Sequence, residues 1–204
     1  MEHFPRRRTQ AHIDLDALAA NLSLLRQRCG GAPVVLPVKA DAYGHGQIEV
    51  ARRGAAEGVE LLAVANLQEL LRLRDGGIHH PTLILEDLFS EELPPAVTVG
   101  EARFNVSTPT YAEELSRAAE SAGTKVAVHV NLDTGMGRMG LLSDNPAGHI
   151  LEIASLPGLE VEGVFTHFPA ADEADRSFAR EQLGAFRHTL EALSQQGFKP
   201  RYAH

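Results

Sequence analysis

Short apolar runs rich in β-branched residues recur along the 204-residue chain, and segments with helical spacing separate them. Several of these runs are apolar at consecutive positions, which is typical of strands that a parallel sheet buries on both faces. The pattern predicts seven strands, at residues 34–40, 61–65, 82–85, 103–107, 126–132, 161–166 and 201–203.

The ends of four helices are marked by capping residues, prolines and glycines. Asp14 or Asp16 can cap the first helix, and the longest helix is expected to direct Phe178, Phe186 and Leu193 inward. The helices predicted in this way cover residues 14–30, 108–123, 145–158 and 173–196.

The alternation of strands with helices predicts right-handed crossovers and a parallel sheet, as in a (β/α)8 barrel or a doubly wound open sheet. The barrel is preferred because no Gly-x-Gly-x-x-Gly loop follows the first strand. It also places Lys39, Asn66, Asp133 and His167 at the carboxyl ends of strands, where barrel active sites lie. Since closure needs eight strands, we predict an incomplete (β/α)8 TIM-type barrel and expect a truncated form or a part of a longer protein.

Composition narrows the range of functions. Hydrophobic residues make up 44% of the chain and charged residues 23%, as in ordinary globular proteins. The net charge of −8 argues against nucleic-acid and anionic-membrane partners, and the short run Arg6-Arg7-Arg8 does not reverse it. No signal peptide or membrane anchor is indicated and the single cysteine, Cys29, suits a reducing compartment, so the predicted location is cytoplasmic. No metal-binding spacing such as His-Glu-x-x-His occurs, and no metal site is expected.

Lys39 follows an apolar run directly and precedes a turn that Gly44 and Gly46 bracket. Burial at the end of a strand disfavours the ammonium form of a lysine, so that its free amine can condense with an aldehyde. The simpler alternative is a strand-end lysine that faces solvent. The residues around Lys39, taken alone, leave both interpretations open.

Two further segments carry candidate site residues. In residues 133–140, three glycines allow a tight turn and leave Arg138 as a planar, permanently charged donor that suits a phenolate or a carboxylate. In residues 163–172, His167 stands at the end of a predicted strand. Both also have a structural alternative, because glycine-rich turns with one arginine and histidines at strand ends are common in folded proteins.

Together these segments resemble the alanine racemases of bacteria. The resemblance extends from Ile13 to His204, and its three motifs occur in the order found in that family. They are Val-Lys-Ala-Asp-Ala-Tyr-Gly-His-Gly at 38–46, Asp-Thr-Gly-Met-Gly-Arg-Met-Gly at 133–140 and Thr-His-Phe at 166–168.

The resemblance implies that five residues surround pyridoxal 5'-phosphate. Lys39 would carry the cofactor as a Schiff base, and Tyr43 would contact its phosphate. Arg138 would reach the phenolic oxygen of the cofactor and the region of the substrate carboxylate. His167 would lie against the cofactor ring, and Leu85 would form an apolar wall.

The resemblance also implies an activity, the interconversion of L- and D-alanine for the supply of peptidoglycan precursors. Lys39 would be the base that acts on the D-enantiomer. The acid/base on the opposite face would be a tyrosine from the carboxyl-terminal β-domain of the partner subunit in a homodimer. Residues 1–204 would then be the N-terminal barrel domain without that β-domain, and we expect them to be inactive as a racemase by themselves.

Asn131 departs from the family pattern, because the family's best-known members carry a carbamylated lysine there. An amide has no charge, so Arg138 would need another counter-charge, such as a bound chloride. Two alternative functions are a non-catalytic single-domain protein that binds and buffers pyridoxal phosphate, and a related fold type III racemase or decarboxylase with another amino-acid substrate. The Asp133 to Gly140 motif favours the alanine racemase over the first of these.

Overall fold

Seven strands form one parallel sheet in the computed structural model, which describes residues 9–204. Each strand pairs in parallel with the next one along the chain, and the run Arg6-Arg7-Arg8 lies outside the described residues. This sheet is the predicted incomplete barrel. The strands are β1 (Val35–Pro37), β2 (Leu61–Val64), β3 (Thr82–Ile84), β4 (Ala102–Val106), β5 (Val126–Leu132), β6 (Leu159–Thr166) and β7 (Tyr202–Ala203).

Helical segments precede the sheet and connect its strands. They are α1 (Leu15–Arg28), α2 (Lys39–Gly44), α3 (Gln47–Ala56), α4 (Leu67–Asp75), α5 (Leu93–Ala96), α6 (Pro109–Ser121), α7 (Pro146–Ala154) and α8 (Ser177–Gln195). The predicted caps are present at three of them, since the side chains of Asp14, Thr108 and Asn145 each accept hydrogen bonds from backbone N–H groups of the first turn. These bonds satisfy donors that have no partner within the helix.

The structure corrects the prediction at several boundaries. The first strand ends at Pro37 instead of residue 40, because the chain turns into α2 immediately afterwards. The helices α3, α4 and α5 were not predicted, although Leu67, Leu70 and Leu73 in α4 have helical spacing and are buried. The last helix begins at Ser177 instead of residue 173, where the Asp175 side chain accepts from the Ser177 N–H at 2.9 Å.

The main core lies between the sheet and the helices that cover it. Its sheet side consists of fully buried residues at alternate strand positions, including Leu62, Val64, Ile84, Val128 and Val130. Each such side chain contributes roughly 1.5–3 kcal/mol when it is removed from water.

The inward face of α8 follows the prediction in part. Phe186 and Leu193 are buried as expected, whereas Phe178, on the same face of the helix, is 39% exposed and does not reach the core. The ring of Phe178 lies beside Gly135 instead, where an added Cβ would meet its Cζ at 3.1 Å.

The barrel interior carries charged and polar groups near β5 and β6. His129 is completely buried, and its Nε2 lies 3.4 Å from the Glu162 carboxylate. Arg103 Nε donates to the same carboxylate at 3.3 Å. These partners lower the pKa of Glu162, chiefly through the hydrogen bond with His129. The interior therefore contains a charged network as well as apolar side chains.

The strand that leads into Lys39 is an edge strand. Within the described residues β1 pairs only with β2, over three residue pairs. Val35 and Leu36 are half-buried and Pro37 is exposed. Val38, the residue directly before Lys39, is fully buried, and Lys39 itself is half-buried.

Candidate functional site

All five predicted site residues line one cavity, which includes the carboxyl ends of the strands and extends along β1 to the end of α1. Its volume is about 680 Å³, within the usual range for pockets that hold small molecules. Strand ends β1, β3 and β6 and the loop after β5 contribute to it, and its apolar wall includes Ala63 and Leu83. The predicted residues found there are Lys39, Tyr43, Leu85, Arg138 and His167.

The backbone after Lys39 forms a left-handed helical turn. The φ angles of Ala40, Asp41, Ala42 and Tyr43 lie between 51° and 56°. This conformation costs about 1–2 kcal/mol for each residue that is not glycine, so other contacts must hold the turn in place.

Hydrogen bonds at both ends of the turn provide part of that support. The Ala42 N–H donates to the Val38 carbonyl at 3.0 Å, and the Gly46 N–H donates to the Asp41 carbonyl at 2.9 Å. The Asp41 carboxylate accepts from the Gln47 N–H at 2.9 Å, which joins the turn to the start of α3. At the end of the turn the Tyr43 side chain is 60% exposed and lines the cavity.

Glu69 contacts the same segment from α4 and was not predicted as a site residue. One of its carboxylate oxygens accepts from the Ala40 N–H at 2.7 Å, and the other accepts from the Ala65 N–H at 2.8 Å. Nothing local marks this role, because a glutamate in the first turn of a helix is common on electrostatic grounds alone.

Arg138 projects from a loop that folds back onto β5. The Leu141 N–H donates to the Asn131 carbonyl at 2.7 Å, and the Asp133 N–H donates to the Leu141 carbonyl at 3.2 Å. Gly140 has a φ of 136°, and an added Cβ would lie 2.7 Å from the Asp133 nitrogen. Only glycine fits this close backbone approach, which explains one of the glycines in the motif.

Two polar residues at strand ends support the backbone. The Asp133 carboxylate accepts from the N–H groups of Gly135 and Gly137 within the loop, at 2.9 Å and 3.0 Å. The Asn66 side chain caps α4 by accepting from the Glu69 N–H at 3.0 Å. Asp133 lines the cavity, whereas Asn66 is not among the lining residues.

His167 lies within the electrostatic influence of the other two cationic candidates. Partial burial lowers the pKa of His167, and the positive charges of Arg138 and then Lys39 lower it further. The neutral imidazole is therefore favoured near neutral pH. Three basic side chains from β6, the β5 loop and the end of β1 thus share one cavity.

Gln182 of α8 joins the His167 segment to the Arg138 loop. Its side chain is completely buried, and its Nε2 donates to the His167 carbonyl at 3.0 Å and to Thr134 Oγ1 at 3.3 Å. Thr134 and Thr166 share a further hydrogen bond of 2.7 Å. The burial of a polar helix residue becomes evident only in the folded chain.

Asn131 occupies the cavity wall on β5 and is 7% exposed. Arg138 forms no ion pair with a carboxylate of residues 9–204. The guanidinium therefore enters the cavity with its charge available to a ligand.

His204 also lines the cavity and was not predicted as a site residue. Its ring stacks on Phe165 with centroids 4.8 Å apart, and its Nε2 lies 2.8 Å from His129 Nδ1. Desolvation by the surrounding groups, with a smaller effect of His129, lowers the pKa of His204. In this contact one ring donates and the other accepts.

In the described part of the chain, no three His, Cys, Asp or Glu side chains are grouped so that they could hold a metal ion.

Among residues 9–204, no helix combines the length and the apolar character needed to cross a membrane.

The chain is similar to known proteins along nearly all of its length. A family model described as "Alanine racemase, N-terminal domain" matches residues 13–204. The alanine racemase of Clostridium tetani is 35% identical over 199 residues, which cover 95% of this chain and 50% of that protein. An alanine racemase of Clostridium perfringens is 41% identical over 193 residues, covering 89% and 48%.

Solved structures show the same relationship. The alanine racemase of Clostridium difficile 630 in complex with cycloserine superposes with a TM-score of 0.88 at 32% sequence identity, covering 94% of this chain and 53% of that one. The chain thus spans about half the length of the relatives that it matches.

Proposed function

Because the chain belongs to the alanine racemase family, through the N-terminal domain of that family, we propose that it is the cofactor-binding barrel domain of an enzyme that interconverts L- and D-alanine. The observation that carries the proposal is the convergence of Lys39, Arg138 and His167 in one cavity. The proposed enzyme is a cytoplasmic homodimer that supplies D-alanine for peptidoglycan.

The wall of the cavity carries groups that suit pyridoxal phosphate. The Arg138 charge is free of any carboxylate among residues 9–204 and suits the anionic oxygens of the cofactor. Tyr43 supplies a hydroxyl for the phosphate, and Leu83 and Leu85 provide an apolar surface for the ring. When bound, the cofactor would supply an electron sink that makes Cα of an amino acid acidic.

Lys39 has two proposed roles. Its amine would hold the cofactor, and after an incoming amino acid has released it, the same Nζ would remove the proton from Cα of D-alanine. The half-buried position at the cavity wall is compatible with both roles, because the amine reaches the cavity without a competing carboxylate within ion-pair distance among the described residues.

Arg138 and His167 would orient the bound groups. Arg138 would donate to the phenolic oxygen of the cofactor and to the region of the substrate carboxylate. His167 would lie against the ring, where its lowered pKa keeps it neutral and avoids a third positive charge beside Lys39 and Arg138.

Racemisation needs a second acid/base group on the opposite face of Cα, since one group alone returns the proton to the side that it left. We propose that a tyrosine of the partner subunit's carboxyl-terminal domain supplies it in the complete enzyme. Residues 1–204 by themselves are expected not to racemise alanine. Racemisation by the purified 204-residue chain would contradict this part of the proposal.

The loop that carries Arg138 supports a racemase over a protein that only stores the cofactor. It returns to β5 through two backbone hydrogen bonds and holds a guanidinium in the cavity, where a substrate carboxylate can bind.

Covalent attachment at Lys39 tests the proposal directly. The chain is mixed with pyridoxal phosphate, reduced with borohydride and digested, and mass spectrometry locates the modified lysine. We expect modification at Lys39 and little at the other two lysines, Lys125 and Lys199. Lys39→Ala should abolish the cofactor-dependent absorbance band, whereas the exposed control Lys125→Ala should retain it. Equal modification of all three lysines would contradict the proposed site.

A further inference from the structure

We propose that Glu69 is a positioning residue for Lys39. Its carboxylate holds the backbone just after two adjacent strands and thereby fixes the direction of the Lys39 side chain. The inference rests on the proposed function of Lys39. The Glu69 carboxylate accepts from the Ala40 N–H at 2.7 Å through Oε1 and from the Ala65 N–H at 2.8 Å through Oε2. Ala40 is the residue that follows Lys39, and Ala65 is the residue that follows β2.

The carboxylate acts where the strand ladder stops. The Val38 N–H donates to the Ala63 carbonyl at 2.7 Å, and the Val38 carbonyl then accepts from Ala42 inside the left-handed turn. β1 and β2 both end close to this point, and the N–H groups of Ala40 and Ala65 both donate to Glu69. One side chain therefore replaces the missing ladder bonds at the position from which the Lys39 side chain departs.

Further hydrogen bonds hold Glu69 itself in place. Its N–H donates to the Asn66 cap at 3.0 Å, and its carbonyl accepts from Gln47 Nε2 at 3.4 Å. The Gln47 side chain is buried at the start of α3, so Glu69 links the turn to two helices.

Two oxygens are needed because both backbone partners are donors. A glutamine has the same shape but offers only one oxygen, and its NH2 group would face the second N–H group. Glu69→Gln should therefore release one side of the clamp while it leaves the volume of the side chain unchanged.

Release of the clamp should slow the attachment of the cofactor. In that step the Lys39 nitrogen forms a double bond to the aldehyde carbon, and the carbonyl oxygen leaves as water with the two hydrogens of the free amine. The step depends on the approach of the amine to the aldehyde, and a loss of orientation lowers its rate by roughly tenfold to a hundredfold.

The experiment compares the wild-type chain with Glu69→Gln and with the matched control Glu49→Gln. Glu49 also lies in the first turn of its helix, α3, but its carboxylate pairs with the exposed Arg52 at 2.6 Å. The rate of borohydride-reducible adduct formation at Lys39 is measured with pyridoxal phosphate in excess. Amide hydrogen exchange at Ala40 and Ala65 is measured without the cofactor.

We expect Glu69→Gln to slow adduct formation at least tenfold and to accelerate exchange at one or both alanines, while Glu49→Gln behaves like the wild type. A wild-type rate in Glu69→Gln would overturn the inference, as would unchanged exchange at both positions.

If Glu69→Gln does not fold, Glu69→Asp is the variant that tests the inference, because its shorter carboxylate keeps the charge but cannot reach both N–H groups. A wild-type rate in Glu69→Asp would also overturn the inference, whereas a wild-type chain without any Lys39 adduct would contradict the proposed function instead.

Discussion

The two sides of the cavity are built by different physical means. The Lys39 side follows a strand of three residues and continues into a left-handed turn without glycine at four consecutive positions. The Arg138 and His167 side lies on β5 and β6, which pair over seven residues, and its loop places glycines at the special positions. The Lys39 side therefore depends on tertiary hydrogen bonds to hold an unfavourable backbone conformation. On the Arg138 side, glycines occupy the positions with positive φ, so the backbone conformation is favourable without such support.

The support given by side chains differs in the same way. On the Lys39 side, the carboxylates of Glu69 and Asp41 accept from backbone N–H groups outside their own turns. On the other side, the Asp133 carboxylate accepts only within its own loop, and neutral groups connect that loop to β6 and α8. Substitutions at glycines and at these supports should therefore affect the two sides differently.

The largest expected effect is that of Gly140→Ala on the Arg138 side. The added Cβ would lie 2.7 Å from the Asp133 nitrogen, and this backbone cannot move without breaking the bonds that return the loop to β5. We expect a loss of about 3 kcal/mol in the free energy of unfolding, measured by urea titration. Gly137→Ala is the control, since its φ is 71° but nothing lies within 4 Å of the added Cβ. Equal losses in both variants would show that close packing at Gly140 is not what fixes the loop.

Gln182→Leu should have the next largest effect. The substitution keeps a similar volume but leaves the His167 carbonyl without its donor at 3.0 Å in a buried place. An unsatisfied buried acceptor costs about 1–3 kcal/mol, and we expect a loss of about 2 kcal/mol in thermal or urea unfolding. Gln195→Leu, at the exposed end of the same helix, should change stability by less than about 0.5 kcal/mol. A neutral Gln182→Leu would mean that other contacts hold His167.

The contrast between the two sides also shows which parts of the fold and of the site can be predicted from the sequence. The seven strands were predictable because apolar runs mark them, and the loop at Arg138 was predictable because its glycines stand where the backbone needs them. The left-handed turn after Lys39 was not, since Ala40 to Tyr43 carry no local mark of that conformation. Its support comes from Glu69, 29 residues further along the chain. Only the folded arrangement of α4 against β1 and β2 reveals that contact.

Ala40→Gly tests the Lys39 side by an expected gain in stability. Ala40 is exposed and has a φ of 51°, so glycine removes strain without a loss of packing. The relief of about 1–2 kcal/mol exceeds the added entropy of the unfolded chain, and a net gain of about 0.5–1 kcal/mol is expected in urea unfolding. The opposite sign should be found for Gly137→Ala on the other side. A loss of stability in Ala40→Gly would mean that the turn is not strained as its backbone angles indicate.

The smallest expected effect concerns the charge of Arg138. The Lys39 side includes the carboxylate of Glu69, whereas Arg138 has no carboxylate partner among residues 9–204 and Asn131 nearby in the cavity wall is neutral. A small anion such as chloride is therefore expected to bind beside Arg138 and to stabilise the chain by less than about 1 kcal/mol. Thermal unfolding in chloride and in gluconate at equal ionic strength measures this difference, which Arg138→Gln should remove. Crystals grown with bromide should show an anomalous peak between Arg138 and Asn131. Without a peak there, water alone would solvate the guanidinium of Arg138, and the expectation of an anion site between Arg138 and Asn131 would be wrong.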